Sequence, residues 1–222
     1  MRTVSCWSDR TKALVLCGLA LLIYGFGIGR EFVFDDILYI SQNPLLRRDD
    51  AFRVFWFSSE SFNYYPLFWS LLRVQWLLWG NHVLGYHLVT LLVHCANAML
   101  VWRVGRAWHL PGAWWIGALF AVHPVSVQTV AWAAEQKNTW SFLFMALALL
   151  AFLKHAQHRD WRNYGISLVC FLAALACKTS VALLPVFLAI CTGYRGQKHW
   201  RVPLSRFIPF FIASAAAGST TL

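Results

Sequence analysis

The sequence has little charge for its length. Only 13% of its 222 residues are Asp, Glu, Lys or Arg, whereas soluble domains carry about 25%. Acidic residues are the scarcer kind, with nine against 19 Lys and Arg. Hydrophobic residues make up 59%, and the mean hydropathy is +0.53. This composition excludes a disordered chain and argues against a water-soluble globule, and it is typical of a protein that crosses a membrane several times.

Several common functional motifs are also missing. The sequence has no P-loop, no GxGxxG, no GxSxG and no HExxH, which excludes most of the chemistry of soluble enzymes. Its six cysteines form no CxxC pair, and we expect them to act as small buried hydrophobic residues. The net charge of +10 does not indicate nucleic acid as a partner, because the basic residues lie in short clusters between apolar runs.

Apolar runs recur along the chain at lengths near that of a membrane-spanning helix. We predict an all-α polytopic membrane protein with six to seven spans, forming one transmembrane domain over residues 1–222. The predicted spans are 13–28, 84–104, 114–133 with a kink at His123–Pro124, 139–153, 164–177, 181–193 and a last run from 207.

Residues 29–82, between the first two predicted spans, differ from the rest of the chain. They contain six of the nine acidic residues and many interleaved aromatic residues, so we interpret them as a large first outer loop. Within this loop, residues 67–79 are apolar on one side and interrupted by Arg73 and Gln75. We predict that they form a helix lying in the membrane interface rather than crossing it.

The distribution of charge predicts the orientation. If the N-terminus is cytoplasmic and the spans alternate, the inner segments hold twelve Lys and Arg against two acidic residues. The outer segments then hold seven basic and seven acidic residues. The whole net charge lies on one side, as the positive-inside rule requires. We therefore predict an integral, multi-pass protein with a cytoplasmic N-terminus.

The first outer loop contains an aspartate pair, Asp35–Asp36, in the stretch VFDDILYISQNP. Neighbouring carboxylates in a partly dry, aromatic setting repel each other, which raises the pKa of at least one and suits a general base or a metal ligand. On the residues alone, a solvated pair that begins a loop or caps a helix is the favoured interpretation. Nothing else in the sequence supports a divalent cation here, so we predict no metal and no cofactor.

Three further charged residues fall on the same predicted outer side. Glu135 and Lys137 join two spans in AVHPVSVQTVAWAAEQKNTW, either as a paired hairpin turn or as a surface that meets the first outer loop. Lys178, in LACKTSVALLP, either extends its ammonium group to the interface or contacts a lipid phosphate. Histidines also occur in or near the spans, and we expect hydrogen bonds between helices rather than a metal site; they are His82, His87, His94 and His123.

Five stretches, in this order, resemble the membrane part of the tetratricopeptide-repeat O-mannosyltransferase-like proteins, which belong with the protein O-mannosyltransferases to the GT-C fold glycosyltransferases. The stretches are FDDILYISQNP, YYPLFW, LLWGNHVLGYHLVTLLVHCANAML, LFAVHPVSVQTVAWAAEQKNTWS and CKTSVALLP, within residues 32–185. The block HPV…VAW…E.KN is the most specific of them. Because the relatives are longer, the resemblance implies that this chain is the N-terminal part of a longer protein.

The resemblance also implies an activity and a site. The activity is transfer of a mannose-like sugar from a polyprenyl- or dolichyl-phosphate carrier to a hydroxyl of a protein or glycan, on the outer face of a bacterial inner membrane or the lumenal face of the endoplasmic reticulum. The implied catalytic base is Asp35, with Asp36 beside it. The implied substrate-binding residues are Tyr65, Glu135, Lys137 and Lys178. Relatives commonly have Arg where this chain has Tyr65 and Gln136, so two positive charges that would neutralise a phosphate are absent.

Two other classes of function stay open on the sequence. One is a non-catalytic polytopic scaffold, or an inactive fragment of such an enzyme. The other is a small transporter, which is disfavoured because the acidic residues cluster in an outer loop rather than within the spans.

Overall fold

A computed structural model describes residues 7–27, 31–194 and 202–219, which form ten α-helices and no β-strand. The helices are α1 (Asp9–Tyr24), α2 (Ala51–Phe57), α3 (Pro66–Trp79), α4 (Val83–Ala107), α5 (Ala113–Val122), α6 (Ser126–Ala131), α7 (Gln136–His158), α8 (Trp161–Cys177), α9 (Leu184–Tyr194) and α10 (Ile208–Ser219). Parts of the predicted layout lie outside the described residues: Arg2, Ile28, Gly29, Arg30, Arg195, Lys198, Arg201 and the end of the last run at Leu222.

The apolar helices fall into two length classes. Among the described residues, three segments are long and apolar enough to cross a membrane: Asp9–Gly27, Val83–Ala107 and Ala133–His158. Four shorter apolar segments have 10–17 residues: Ala113–Val122, Trp161–Cys177, Thr179–Ile190 and Leu204–Ser219. The protein is therefore an all-α, polytopic membrane protein, as predicted. The number of spans stays a prediction, because the shorter segments reach at most roughly 26 Å at 1.5 Å per residue.

The predicted span 114–133 is two helices rather than one kinked helix. α5 ends at Val122, and His123 is extended, with φ −68° and ψ 129°. Proline has no N–H to donate and disfavours helical backbone in the residue before it, so Pro124 breaks the helix completely. The chain resumes as α6, which has only six residues.

The segment 31–82 contains α2 and α3, together with a π-helical turn at Ile37–Ser41 and a 3₁₀ turn at Pro44–Arg47. The predicted interfacial helix is present as α3 and is followed by Gly80 as its C-cap, whose φ of 54° suits glycine. One side of α3 is buried and the other is apolar and exposed; the exposed residues are Val74, Leu77 and Leu78. Its position in the membrane interface stays a prediction.

Hydrogen bonds gather the connecting segments at two opposite ends of the long helices. At one end, the Asp9 carboxylate forms an ion pair with Arg106 at 2.5 Å. At the other, the Tyr24 hydroxyl donates to the His123 carbonyl at 2.9 Å. We call these the basic end and the acidic end, since the segment 31–82 lies at the second. The alternation of spans assumed in the charge analysis agrees with this grouping for α1, α4 and α5.

Buried polar side chains join α4, α7 and α8. The Asn97 amide donates to the Thr139 carbonyl at 2.9 Å, and the Ser141 hydroxyl donates to the Ala174 carbonyl at 3.2 Å. Hydrocarbon offers no water to satisfy such groups, so polar side chains in spanning helices bond across to neighbouring helices. These bonds fix the start of α7 against its neighbours, and the start of α7 carries the candidate site.

Candidate functional site

Asp36 fastens the segment 31–82 to the turn that precedes α7. Its side chain is fully buried. One carboxylate oxygen accepts from the backbone N–H of Ala134 at 2.7 Å, and the other accepts from that of Val33 at 3.4 Å. Burial raises the pKa of Asp36, and the N–H groups bonded to the carboxylate oppose that rise.

Asp35 has a different environment from its neighbour. Its side chain is exposed. The residue before it, Phe34, has a left-handed backbone with φ of 50°, and its ring lies 4.9 Å from that of Trp132. The sequence predicted a raised pKa within the pair from mutual repulsion. Asp36 does have a raised pKa, but its largest cause is burial. The pair is therefore divided into one buried, bonded carboxylate and one exposed carboxylate.

Glu135, Lys137 and Lys178 form one connected cluster with Asn138. Lys137 Nζ lies 2.8 Å from Glu135 Oε1, and both side chains are nearly nine-tenths buried. The Asn138 side chain donates to Glu135 and accepts from Lys178 Nζ. The cluster holds one carboxylate and two ammonium groups. The pKa of Lys178 is lowered by burial; Glu135 raises it, and Lys137 lowers it further.

Tyr39 connects this cluster to the aspartate segment. Lys137 Nζ lies 4.8 Å from the centroid of the Tyr39 ring, a cation–π distance. Tyr39 belongs to the turn that follows Asp36, and its ring stacks on Trp69 at 5.1 Å. The structure thus brings the turn before α7 together with the segment that contains Asp35 and Asp36. This contact agrees with the interpretation in which Glu135 and Lys137 form a surface that meets the first outer loop.

Tyr65 is not joined to the charged cluster. It precedes α3, is partly buried and packs against an aromatic core that includes Phe68 and Trp69. Its hydroxyl has no hydrogen bond within the described residues. The structure therefore does not bring this predicted substrate-binding residue into bonding contact with the lysines.

Gln136 points into the core rather than toward the cluster. Its side chain is fully buried. The amide groups of Gln136 and Gln75 bond reciprocally at 2.8 and 3.0 Å, and Gln136 also donates to the Tyr86 carbonyl at 3.1 Å. Partners on α3 and α4 therefore saturate this side chain.

The structure also contains an apolar groove of about 510 Å³. Its walls come from the segment 56–67, from α8 and from α10, and Thr179, which follows Lys178 directly, is part of the lining. The volume is in the usual range for ligand sites, about 300–1,000 Å³. The Tyr64 hydroxyl donates to the Trp56 carbonyl at 3.0 Å and holds one wall together.

Sequence reasoning missed Asn138, Tyr39 and the groove. A signal for Asn138 was available, because it stands three residues after Glu135 at a helix start, where side chains share a face. A signal for the groove was also available, because the small residues Ala213, Ala216 and Ala217 are spaced three and four apart and so lie on one face of a helix. Nothing local marked Tyr39 as a partner of Lys137.

The sequence is similar to curated proteins over most of its length. Protein O-mannosyl-transferase Tmtc1 of Drosophila melanogaster is 31% identical over 191 residues, covering 78% of this chain and 22% of that protein. Protein O-mannosyl-transferase tmtc2 of Xenopus laevis is 30% identical over 171 residues, covering 72% and 20%. Protein O-mannosyl-transferase F38B6.6 of Caenorhabditis elegans is 26% identical over 215 residues, covering 90% and 30%. No protein-family model and no solved structure matches the chain.

These relatives confirm the resemblance to the O-mannosyltransferase-like proteins over most of the chain. The chain spans only 20–30% of the length of these three relatives.

Proposed function

We propose that this chain, related over most of its length to the tetratricopeptide-repeat O-mannosyltransferase-like family, carries the catalytic base and the donor site of a membrane O-mannosyltransferase with a GT-C-like fold. The donor is mannose on a polyprenyl or dolichyl phosphate, and the acceptor is a hydroxyl of a protein or glycan. The proposal is carried by one observation: the exposed Asp35 is next to Asp36, whose carboxylate is bonded to the turn that leads into a partly buried two-lysine cluster, and the residue after Lys178 lines an apolar groove.

The proposed reaction needs one carboxylate. Asp35 accepts the proton of the acceptor hydroxyl while the hydroxyl oxygen attacks the anomeric carbon. The bond between that carbon and the phosphate oxygen breaks, and the lipid phosphate leaves with the electron pair. Because a phosphate is a good leaving group, no general acid is required, unlike the two-carboxylate arrangement of glycosidases. Direct displacement inverts the configuration at the anomeric carbon.

The lysine cluster suits the phosphate of the donor. With Glu135 counted, Lys137 and Lys178 leave one positive charge in excess. The pKa of Lys178 is lowered first by burial and further by Lys137, and a phosphate between the two ammonium groups would offset the repulsion between them. The departing phosphate gains charge as the bond breaks, so fixed ammonium groups stabilise the transition state more than the ground state.

The apolar groove suits the first isoprene units of the carrier. Thr179 lines the groove and follows Lys178 in sequence, and we expect the lipid chain of a phosphate held by the lysines to enter the groove at this point. We propose that the acidic end faces the outside or the lumen, because the predicted alternation of spans assigns the excess of Lys and Arg to the other side of the membrane. The N-terminus is then cytoplasmic.

A transfer assay on membranes that contain the protein tests the proposal. With radiolabelled polyprenyl-phosphate mannose, we expect Asp35→Asn to reduce transfer about 10²–10⁴-fold, which is the usual contribution of a general base. Asp36→Asn should reduce it less, and the control Asp49→Asn, an exposed acid of the same segment, should not reduce it. Equal transfer by Asp35→Asn and the parent would refute the assignment. A parent that binds the donor without transferring its sugar would favour the non-catalytic scaffold.

A further inference from the structure

A buried arginine lies outside the site described above. Arg73, on α3, is only 8% exposed. Its Nη1 donates to the Leu46 carbonyl, and its Nε is buried without a hydrogen-bond partner. A guanidinium group has five N–H donors and stays charged at any physiological pH. Within the described residues, the Nε donor of this buried guanidinium group therefore has no acceptor.

No carboxylate compensates this charge. All nine acidic residues of the sequence lie in the described ranges, and none of them forms an ion pair with Arg73. The ion pairs within those ranges are Arg48 with Asp50 and Glu60, Arg106 with Asp9, and Lys137 with Glu135. A buried charge without a counter-charge is strongly unfavourable. A bound anion from outside the chain would offset the cost of burying Arg73.

A second arginine adjoins the same place. The carbonyl that Arg73 contacts belongs to Leu46, and the next residue is Arg47, which is exposed. The Arg47 guanidinium lies 5.1 Å from the centroid of the Trp76 ring. Trp76 follows Arg73 by three residues on α3, so both lie on one side of that helix. A buried and an exposed arginine thus both belong to the junction where α3 packs on the turn Pro44–Arg47, and the exposed Arg47 also donates to the Ser41 carbonyl at 2.7 Å.

We propose that Arg73 and Arg47 bind a phosphate group at this junction. The flat, forked guanidinium matches phosphate oxygens in pairs, with hydrogen bonds strengthened by charge. The source is either the headgroup of a phospholipid or free phosphate. A lipid source agrees with the apolar residues that α3 exposes at Val74, Leu77 and Leu78. This site is separate from the Lys137–Lys178 cluster and does not depend on the proposed transferase activity.

Thermal melting of the purified full chain in a phosphate-free, sugar-headgroup detergent tests the proposal. One arm adds inorganic phosphate at constant ionic strength, and the other adds phosphatidylglycerol, with a neutral galactolipid as its control. We expect a saturable rise in melting temperature in at least one arm, because a ligand that binds only the folded state stabilises it. Arg73→Met should weaken the affinity roughly tenfold or more, and Arg47→Gln should weaken it as well. Arg53→Gln, which removes an exposed arginine of the same segment, should leave it unchanged.

The two arms identify the source of the phosphate. A rise with phosphatidylglycerol alone assigns a lipid headgroup, and a rise with inorganic phosphate assigns a site that takes the free anion. The absence of a rise in both arms, or an unchanged rise in Arg73→Met, would overturn the proposal. A purely structural Arg73 would make Arg73→Met melt lower in anion-free detergent, whereas removal of an uncompensated charge should not lower it. Should Arg73→Met fail to fold, the exposed Arg47→Gln decides the question.

Discussion

Asp36 shows how a single side chain can join parts of the chain that are far apart in sequence. It accepts from the backbone of Ala134, 98 residues away, and it is fully buried. A buried carboxylate keeps its charge only with hydrogen-bond donors around it, and here the donors come from two backbone N–H groups. Ionisation of Asp36 therefore depends on the bonds that join these distant parts of the chain.

The raised pKa of Asp36 predicts a pH dependence of stability. A carboxyl group whose pKa is raised on folding contributes stability that is present below its ordinary pKa of 3.8 and lost as the pH rises through the folded-state pKa. Asp36→Asn keeps the acceptor for Ala134 and removes the titration. We expect the parent to lose stability as the pH rises above 4, and we expect the variant to lack the part of that loss that comes from ionisation of Asp36. Melting curves of both proteins between pH 4 and pH 8 measure the difference, and parallel curves would contradict it.

Lys178 should contribute to donor affinity. Lys178→Met removes one of the two ammonium groups of the cluster and leaves Glu135 balanced by Lys137 alone. Loss of a charged hydrogen bond costs about 1.5–3 kcal/mol, so we expect the dissociation constant of polyprenyl-phosphate mannose to rise about tenfold or more. Donor-dependent melting measures it, with Lys154→Met, an exposed lysine toward the C-terminal end of α7, as the matched control. An equal shift in both variants would mean that the effect is nonspecific.

The sequence allowed only part of the site to be predicted at this scale. Asp35, Lys137 and Lys178 stand in recognisable stretches, so the motifs were enough to select them. The contact of Tyr39 with Lys137 joins residues 98 positions apart, and no local pattern encodes such a distance. The amide pair of Gln75 and Gln136 was missed for the same reason.

Among the helices, the pair α4 and α5 depends on close backbone approach. A Cβ at Gly117 would lie 2.9 Å from the Trp102 Cβ and 3.0 Å from the Ala98 carbonyl oxygen. The carbonyl is backbone, so it cannot move aside without shifting α4. Small residues at such crossings let membrane helices pack.

Gly117→Ala should therefore destabilise the protein by about 1–3 kcal/mol, the usual cost of overpacking. Gly165→Ala is the control, because a Cβ at that helical position meets nothing within 4 Å. It should be neutral or stabilise by about 0.5–1 kcal/mol, since alanine favours the helix. Melting in detergent compares the two variants. A Gly117→Ala protein as stable as Gly165→Ala would show that the helices can separate without cost.

Helix positions were predictable wherever apolar runs have clear ends. The predicted span 84–104 became Val83–Ala107, and the predicted 164–177 became Trp161–Cys177. A short helix without a periodic hydrophobic pattern could not be predicted from the sequence. The sequence of α2, AFRVFWF, is apolar on nearly all sides, and its buried side is chosen by packing against α3 rather than by its own residues. The 3₁₀ turn at Thr179–Leu183 was also missed, because its last three residues run into the apolar sequence of α9 without interruption.

At the scale of the whole molecule, the fold class followed from composition, whereas the groove could not be foreseen. The groove needs the segment 56–67, α8 and α10 to meet, and their order in space is a property of the assembled helices. The charge difference between the two ends of the molecule was easier to predict, because the charged residues can be counted along the sequence.

The same charge distribution predicts which end faces the cytoplasm. The predicted inner side has twelve Lys and Arg against two acidic residues, and the predicted outer side has seven of each. The side with the excess of basic residues is expected to face the cytoplasm. Asp49 lies at the acidic end and Arg159 in the connection after α7, and both side chains are exposed. We expect Asp49→Cys to react with a membrane-impermeant maleimide from the outer or lumenal side, and Arg159→Cys to react only after permeabilisation. The parent is the control for its own six cysteines. Labelling of Arg159→Cys but not Asp49→Cys from that side would reverse the orientation, and the Asp35 carboxylate would then face the cytoplasm, away from the acceptors that the proposed reaction requires.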